Sequence, residues 1–130
     1  MTEVDFANNL FLENKFSQAI DEYAKILEND PRNLTALNNM GYTLTKLKKF
    51  DLALECYEKS LEIKTNDRIV LVNKISLFRK TGKFENALKL CNDILRNQPD
   101  ETIVLYHKLR ILKKLNRFDE SNKICKKILQ

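Results

Sequence analysis

Tryptophan is absent from this sequence, and glycine, proline and histidine are scarce, at two, two and one in 130 residues. So little turn chemistry argues against a sheet of short strands and leaves helices joined by short loops as the expected build. One histidine, His107, cannot supply a metal site of several histidines or a proton relay. The three cysteines, Cys56, Cys91 and Cys125, are odd in number and lack a short paired spacing, so neither a disulfide framework nor a zinc knuckle is indicated. The two glycines, Gly41 and Gly82, lie in no phosphate-cradling run. No nucleophile with a base and no paired carboxylates stand out, so a chain without catalysis or cofactor is expected. Long apolar runs are missing as well. Ile69-Val70-Leu71-Val72 is far short of a bilayer span, and Met1-Thr2-Glu3-Val4-Asp5 is acidic where a secretory leader is basic. A cytoplasmic protein with no membrane attachment is the expectation.

What is present is charge, at 32% of residues against 43% hydrophobic, and a period. Phe16, Phe50, Phe84 and Phe118 are spaced 34 residues apart with no gap. The same offset links Ala19, Ala53, Ala87 and Ser121, then Tyr23, Tyr57, Cys91 and Cys125. It also links Leu27, Leu61, Leu95 and Leu129, and Leu10, Leu44, Phe78 and Leu112. Cys91 and Cys125 therefore fall in a core column, and Cys56, just before it, is expected to be more exposed. Within a period the spacings of three and four are helical. Phe50, Ala53, Leu54, Tyr57 and Leu61 make one apolar stripe, with Glu55, Glu58 and Lys59 on the wet side. Leu37, Met40, Gly41, Leu44 and Leu47 make the preceding helix, and the short link through Lys48-Lys49 forces the two to pack antiparallel. Eight helices are predicted over 2–14, 17–29, 34–48, 51–64, 68–81, 85–97, 102–115 and 119–129. The chain is thus expected to be one all-α domain over 1–130, an α-solenoid of four antiparallel hairpins (1–33, 34–67, 68–101 and 102–130). Pro31 and Pro99 each stop a second helix, with Thr65 at the equivalent place.

The second repeat, with Leu37, Met40-Gly41, Leu44, Ala53 and Tyr57, resembles the tetratricopeptide signature, and the resemblance covers nearly the whole chain. Departures are Ala7, Ile75 and Leu109 in the column of Gly41, and Ser121 for the final alanine. The resemblance implies a right-handed superhelix with first helices lining a concave wall, and hence a scaffold that holds a protein or peptide segment. Carried across the repeats, the wall contains Val4, Asp5 and Asn8, then Asn38, Asn39 and Tyr42, then Val72, Asn73 and Ser76, and finally Tyr106, His107 and Arg110. Lys80 adds to its C-terminal end. Asn39 and Asn73 share a column, and an amide that both donates and accepts suits a peptide backbone. Solvation of helix asparagines in a chain rich in Asn and Lys accounts for them equally well. The carboxylate clamp of the chaperone-tail subclass maps poorly: Asn8 and Asn39 match, but Val4, Ile69 and Asn73 stand where its three cations should be.

Charge runs unevenly. Residues 1–33 hold seven acids and three bases, 34–67 five of each, 68–101 four and seven, and 102–130 two and eight. Arg79, Lys80, Arg110, Lys113 and Lys114 therefore suit an acidic ligand toward the C-terminal half. No recognition motif accompanies the basic charge, and Tyr106 is the one stacking ring near it, so nucleic acid is not the expected partner. On the last helix, Asn122 replaces the apolar Ile20, Leu54 and Leu88, and Lys123, Lys126 and Lys127 give it a polar outer face. Charged, thinly capped ends also suit a second reading, a structural protein that assembles into homo-oligomers.

Overall fold

A computed structural model describes residues 1–130. It contains eight α-helices and no strand: α1 Glu3–Leu12, α2 Phe16–Asn29, α3 Leu34–Lys46, α4 Phe50–Ile63, α5 Arg68–Lys80, α6 Phe84–Asn97, α7 Thr102–Lys114 and α8 Phe118–Ile128. All eight expected helices are there. The first helix of each hairpin stops short of its expected end, and the second begins one residue early, at the periodic phenylalanine.

The cause is a left-handed turn. Asn14, Lys48, Gly82 and Asn116, one per repeat, have φ of 62°, 60°, 74° and 59°. The next residue in each case, Lys15, Lys49, Lys83 or Arg117, donates its backbone N–H to the carbonyl of Leu10, Leu44, Phe78 or Leu112 at 2.8–2.9 Å. This is a Schellman stop, which satisfies carbonyls that a helix end leaves unpaired. Glycine and asparagine accept the conformation readily, whereas Lys48 holds it against a strain of about 1 kcal/mol. The cation that follows each turn sits at the negative end of the first helix. The second helices of the first three repeats end on a residue with φ of −137°, −134° or −134°, Asp30, Lys64 or Gln98, whereas α8 ends on helical Leu129. Pro31 and Pro99 enforce this on Asp30 and Gln98, and Lys64 adopts it ahead of Thr65 without a proline.

The chain divides into two compact units, Met1–Asn73 and Lys74–Gln130, with the division inside α5. In the first, α1 packs on α2, α2 on α3 and α3 on α4, and α1 also touches α3. Its core joins Ala7, Ala19, Tyr23, Ile26 and Ala36, with Val4, Leu10, Phe11, Leu27 and Met40 packed against them. The small residues allow close approach: a Cβ on Gly41 would lie 2.6 Å from Tyr57 Cε1. In the second unit α6 packs on α7 and α7 on α8. Ala87, Leu88, Cys91, Ile94, Val104, Leu105, Ile111 and Leu112 are buried there, and a side chain such as Ile111 contributes about 1.5–3 kcal/mol by leaving water.

The cysteines correct one expectation. Cys91 is buried as its column requires, but Cys56 is buried too and Cys125 is exposed. Cys125 lies on α8, which packs on α7 alone within the second unit. The polar face of α8 is as expected, with Asn122, Lys123 and Lys126 exposed. No helix is long and apolar enough to cross a membrane.

Candidate functional site

In the first unit, α1 and α3 place Asn8, Asn39 and Tyr42 side by side. Asn39 donates its Nδ2 to Asn8 Oδ1 at 3.0 Å. The Tyr23 hydroxyl, reaching out of the core from α2, donates to the same oxygen. One hairpin on, Asn73 donates its Nδ2 to Asn38 Oδ1 at 2.9 Å. The asparagines thus form rungs between successive first helices. Both lone-pair positions of Asn8 Oδ1 are filled; Asn39 also interacts with the Tyr23 hydroxyl, while Asn73 keeps one amide N–H and its oxygen for another partner.

These residues edge a cavity of about 210 Å³, lined by Asn8, Phe11, Leu12, Tyr23, Asn39, Tyr42 and Thr43. Its lining is aromatic and aliphatic through Phe11, Leu12, Tyr23 and Tyr42, with the amides of Asn8 and Asn39 and the Thr43 hydroxyl as its polar groups. Phe11 packs against Tyr42 with ring centroids 5.6 Å apart. Lys46 Nζ stands 5.2 Å from the Tyr42 ring centroid, a cation–π contact that steadies an otherwise exposed tyrosine. Burial raises the pKa of the Tyr23 phenol, so it stays a hydrogen-bond donor at neutral pH.

In the second unit the expected residues gather differently. Arg79 Nη1 lies 3.1 Å from His107 Nδ1, and Arg110 follows three residues later on α7. His107 is half-buried and Arg110 exposed. Burial lowers the pKa of His107, and the charges of Arg79 and Arg110 lower it further. The Arg79 guanidinium is depressed by burial first and then by Arg110. Ser76 is partly exposed, Lys80 and Tyr106 are exposed, and none of the three joins this group.

Of the residues expected on the wall, then, Asn8, Asn39 and Tyr42 converge, Asn38 and Asn73 pair, and His107 contacts Arg79 within the electrostatic reach of Arg110. Tyr23, Phe11, Leu12 and Thr43 were not expected at a site. Tyr23 belongs to a core column, and only its hydroxyl reaches the surface cluster. Phe11 and Leu12 carried a usable signal, since they lie three and four residues beyond Asn8 on one helix face. Burial pushes the Cys56 thiol up to about 11 and that of Cys91 to about 12, which makes these two poor nucleophiles. No three His, Cys, Asp or Glu side chains converge as a metal site would require.

Residues 35–67 match the protein-family model of the tetratricopeptide repeat. No curated protein matches the sequence. Among solved structures, a tetratricopeptide repeat protein from Parabacteroides merdae ATCC 43184 superposes with a TM-score of 0.89 at 22% identity, over 98% of this chain and 51% of that one. The chain thus spans about half the length of that protein. MamA from Desulfovibrio magneticus RS-1 gives a TM-score of 0.86 at 13% identity, over 98% of this chain and 72% of that one. YrrB, described as a TPR protein with an unusual peptide-binding site, gives 0.79 at 20% identity, over 97% and 65%. Residues 35–67 are therefore a tetratricopeptide repeat, and the chain has the tetratricopeptide-repeat fold.

Proposed function

We propose that this chain is a non-catalytic scaffold that holds a segment of a partner protein against its first helices, with one apolar side chain seated among Phe11, Leu12 and Tyr42. The observation that carries this reading is the cavity of about 210 Å³, lined by Phe11, Leu12 and Tyr42 together with the amides of Asn8 and Asn39. A cavity of that size accepts a single side chain rather than a small-molecule cofactor, since ligand pockets run to about 300–1,000 Å³. Asn39 lines the cavity, and its amide oxygen, which accepts no bond from the neighbouring side chains, is available to the backbone N–H of the seated residue. The amide gives orientation and the rings give affinity, the usual division of labour at peptide anchors.

The test is capture of partners from source lysate on immobilised wild-type chain, beside Tyr42→Ala and Leu12→Asp. Both side chains are exposed, Tyr42 by 40% and Leu12 by 75%, so neither belongs to the buried core, and Tyr42→Ala gives up only the ring contacts with Phe11 and Lys46. A partner held by the wild type and lost by both variants, at unchanged helicity and urea midpoint, supports the reading. Equal retention by all three overturns it.

A further inference from the structure

The second unit carries a site that the cavity does not explain. Residues 74–130 hold 14 bases and six acids. Several of the acids are paired at the second helices: Asp93 with Arg96, Glu85 and Glu120 with Arg117, and Asp100 with Lys127. Neither the Lys74–Lys80 part of α5 nor any of α7 contains an acidic residue. Arg79 touches His107, Arg110 is close enough to bear electrostatically on both, and no carboxylate acts on either Arg79 or His107.

We propose that Arg79, His107 and Arg110 form a recognition site for a carboxylate of a bound acidic peptide, and that His107 takes up a proton when the carboxylate arrives. A guanidinium has only donors, so the 3.1 Å contact from Arg79 requires a lone pair on His107 Nδ1. The ring in the free protein is thus neutral, with its proton on Nε2. The partly buried Arg79 fork is held in place by this bond, and Arg110 projects from the same helix face as His107, three residues on. A carboxylate between the two guanidiniums accepts charge-assisted bonds from both and removes their mutual repulsion.

The same event reverses the electrostatics at the ring. Of the charged groups on the neighbouring elements, Arg79 on α5 and Arg110 on α7 are the ones that bear on His107. On α6, Cys91 senses Lys108 and Arg79. On α8, Glu120 is held by Arg117 and also senses Lys108 and Lys123. The arriving carboxylate draws the Arg79 donor off Nδ1, and with its two opposing cations neutralised His107 takes a proton on that freed nitrogen and donates from both. Binding and protonation then assist each other, so the peptide binds more tightly as pH falls from 7.5 to 5.5, where a glutamate carboxylate is still ionised. The site differs from the chaperone-tail clamp, whose cation columns hold Val4, Ile69 and Asn73 in this chain. It deepens the scaffold reading by naming a chemistry for part of the partner.

His107 is the one histidine of the chain, so its ring protons can be titrated by NMR without assignment ambiguity. The probe is a hexaglutamate peptide, with sodium chloride added to equalise ionic strength in every sample. The expected result is a ring pKa below 6.5 in the free chain, raised by about one unit with peptide, which corresponds to about tenfold tighter binding below both values. Arg110→Gln should abolish the rise, and Lys126→Gln, which removes the same charge from exposed α8, should preserve it. His107→Gln should make affinity independent of pH across the same range. A free ring pKa at or above 6.5, no response to the peptide, an equal response in Arg110→Gln, or a response to inorganic phosphate alone would each overturn the proposal. The outcome is separable from the scaffold test, because Tyr42 and Leu12 contribute nothing to this titration and His107 nothing to the cavity.

Discussion

Ser60 is the place where the packing is least satisfied, and changing it should strengthen the protein. The residue is fully buried in α4 and its Oγ has no hydrogen-bond partner. Its column reads Ile26, Ser60, Ile94 and Ile128, so a hydroxyl stands where the other repeats put a hydrocarbon. An unpaired buried hydroxyl costs about 1–3 kcal/mol. Ser60→Ala removes that cost and adds about 0.5 kcal/mol of helix propensity, against a slight loss of volume. The net expectation is a gain of about 1–2 kcal/mol, seen as a urea midpoint higher by about 0.5–1 M at unchanged slope. Far-UV circular dichroism during urea denaturation measures it directly. Ser60→Ile separates polarity from size, because added carbons in a filled site cost about 1–3 kcal/mol even though the hydroxyl is gone. A lower midpoint for Ser60→Ala would refute the reasoning and show that the hydroxyl is bonded, most simply to a carbonyl of the preceding turn.

Three further outcomes follow from the same geometry. Gly41→Ala should lower the urea midpoint despite better helix propensity, because its Cβ would meet Tyr57 Cε1 at 2.6 Å and Cδ1 at 2.9 Å; overpacking of about 1–3 kcal/mol outweighs a propensity gain of about 1 kcal/mol. Lys48→Gly should raise the stability by about 0.5 kcal/mol through relief of its left-handed backbone, whereas Gly82→Ala, at φ 74° with open space around it, should lower it by about 1 kcal/mol, each read from the urea midpoint. A thiol-reactive disulfide reagent at pH 8 should modify Cys125 in the native protein and reach Cys56 and Cys91 only on unfolding, since burial pushes those two thiols to about 11 and about 12.

Most of the architecture was legible because a solenoid repeats its reasons. Phe16, Phe50, Phe84 and Phe118 mark the start of every second helix, and the small residue three later, Ala19, Ala53, Ala87 or Ser121, is buried as the spacing alone suggests. Lys48 shows the limit of residue type as a guide. Its neighbours in the column are Asn14, Gly82 and Asn116, which announce a left-handed turn, but a lysine announces nothing, and only the period would have assigned it the same φ. Cys56 and Cys125 show a second limit. Column membership tells which face a residue occupies in an interior repeat, but exposure depends on what lies against that face, and α8 has a single packing neighbour in its unit.

The wall residues separate the legible from the hidden more sharply. Asn8, Asn38, Asn39 and Asn73 were recognisable as one face by helical phase, yet whether they are solvated or engaged depends on spacing between helices, which a one-dimensional pattern does not carry. At 2.9–3.0 Å they engage each other. That changes what their substitution would test: Asn39→Ala removes a rung that joins α3 to α1 as well as any bond to a ligand, so lost capture by such a variant would be ambiguous between the two. Tyr42 and Leu12 avoid the ambiguity, because they line the cavity and take no part in the rungs. Arg79 makes the same point for the basic half. It was visible only as one cation among five, and the contact with His107 is what sets it apart from Lys113 and Lys114, which remain exposed.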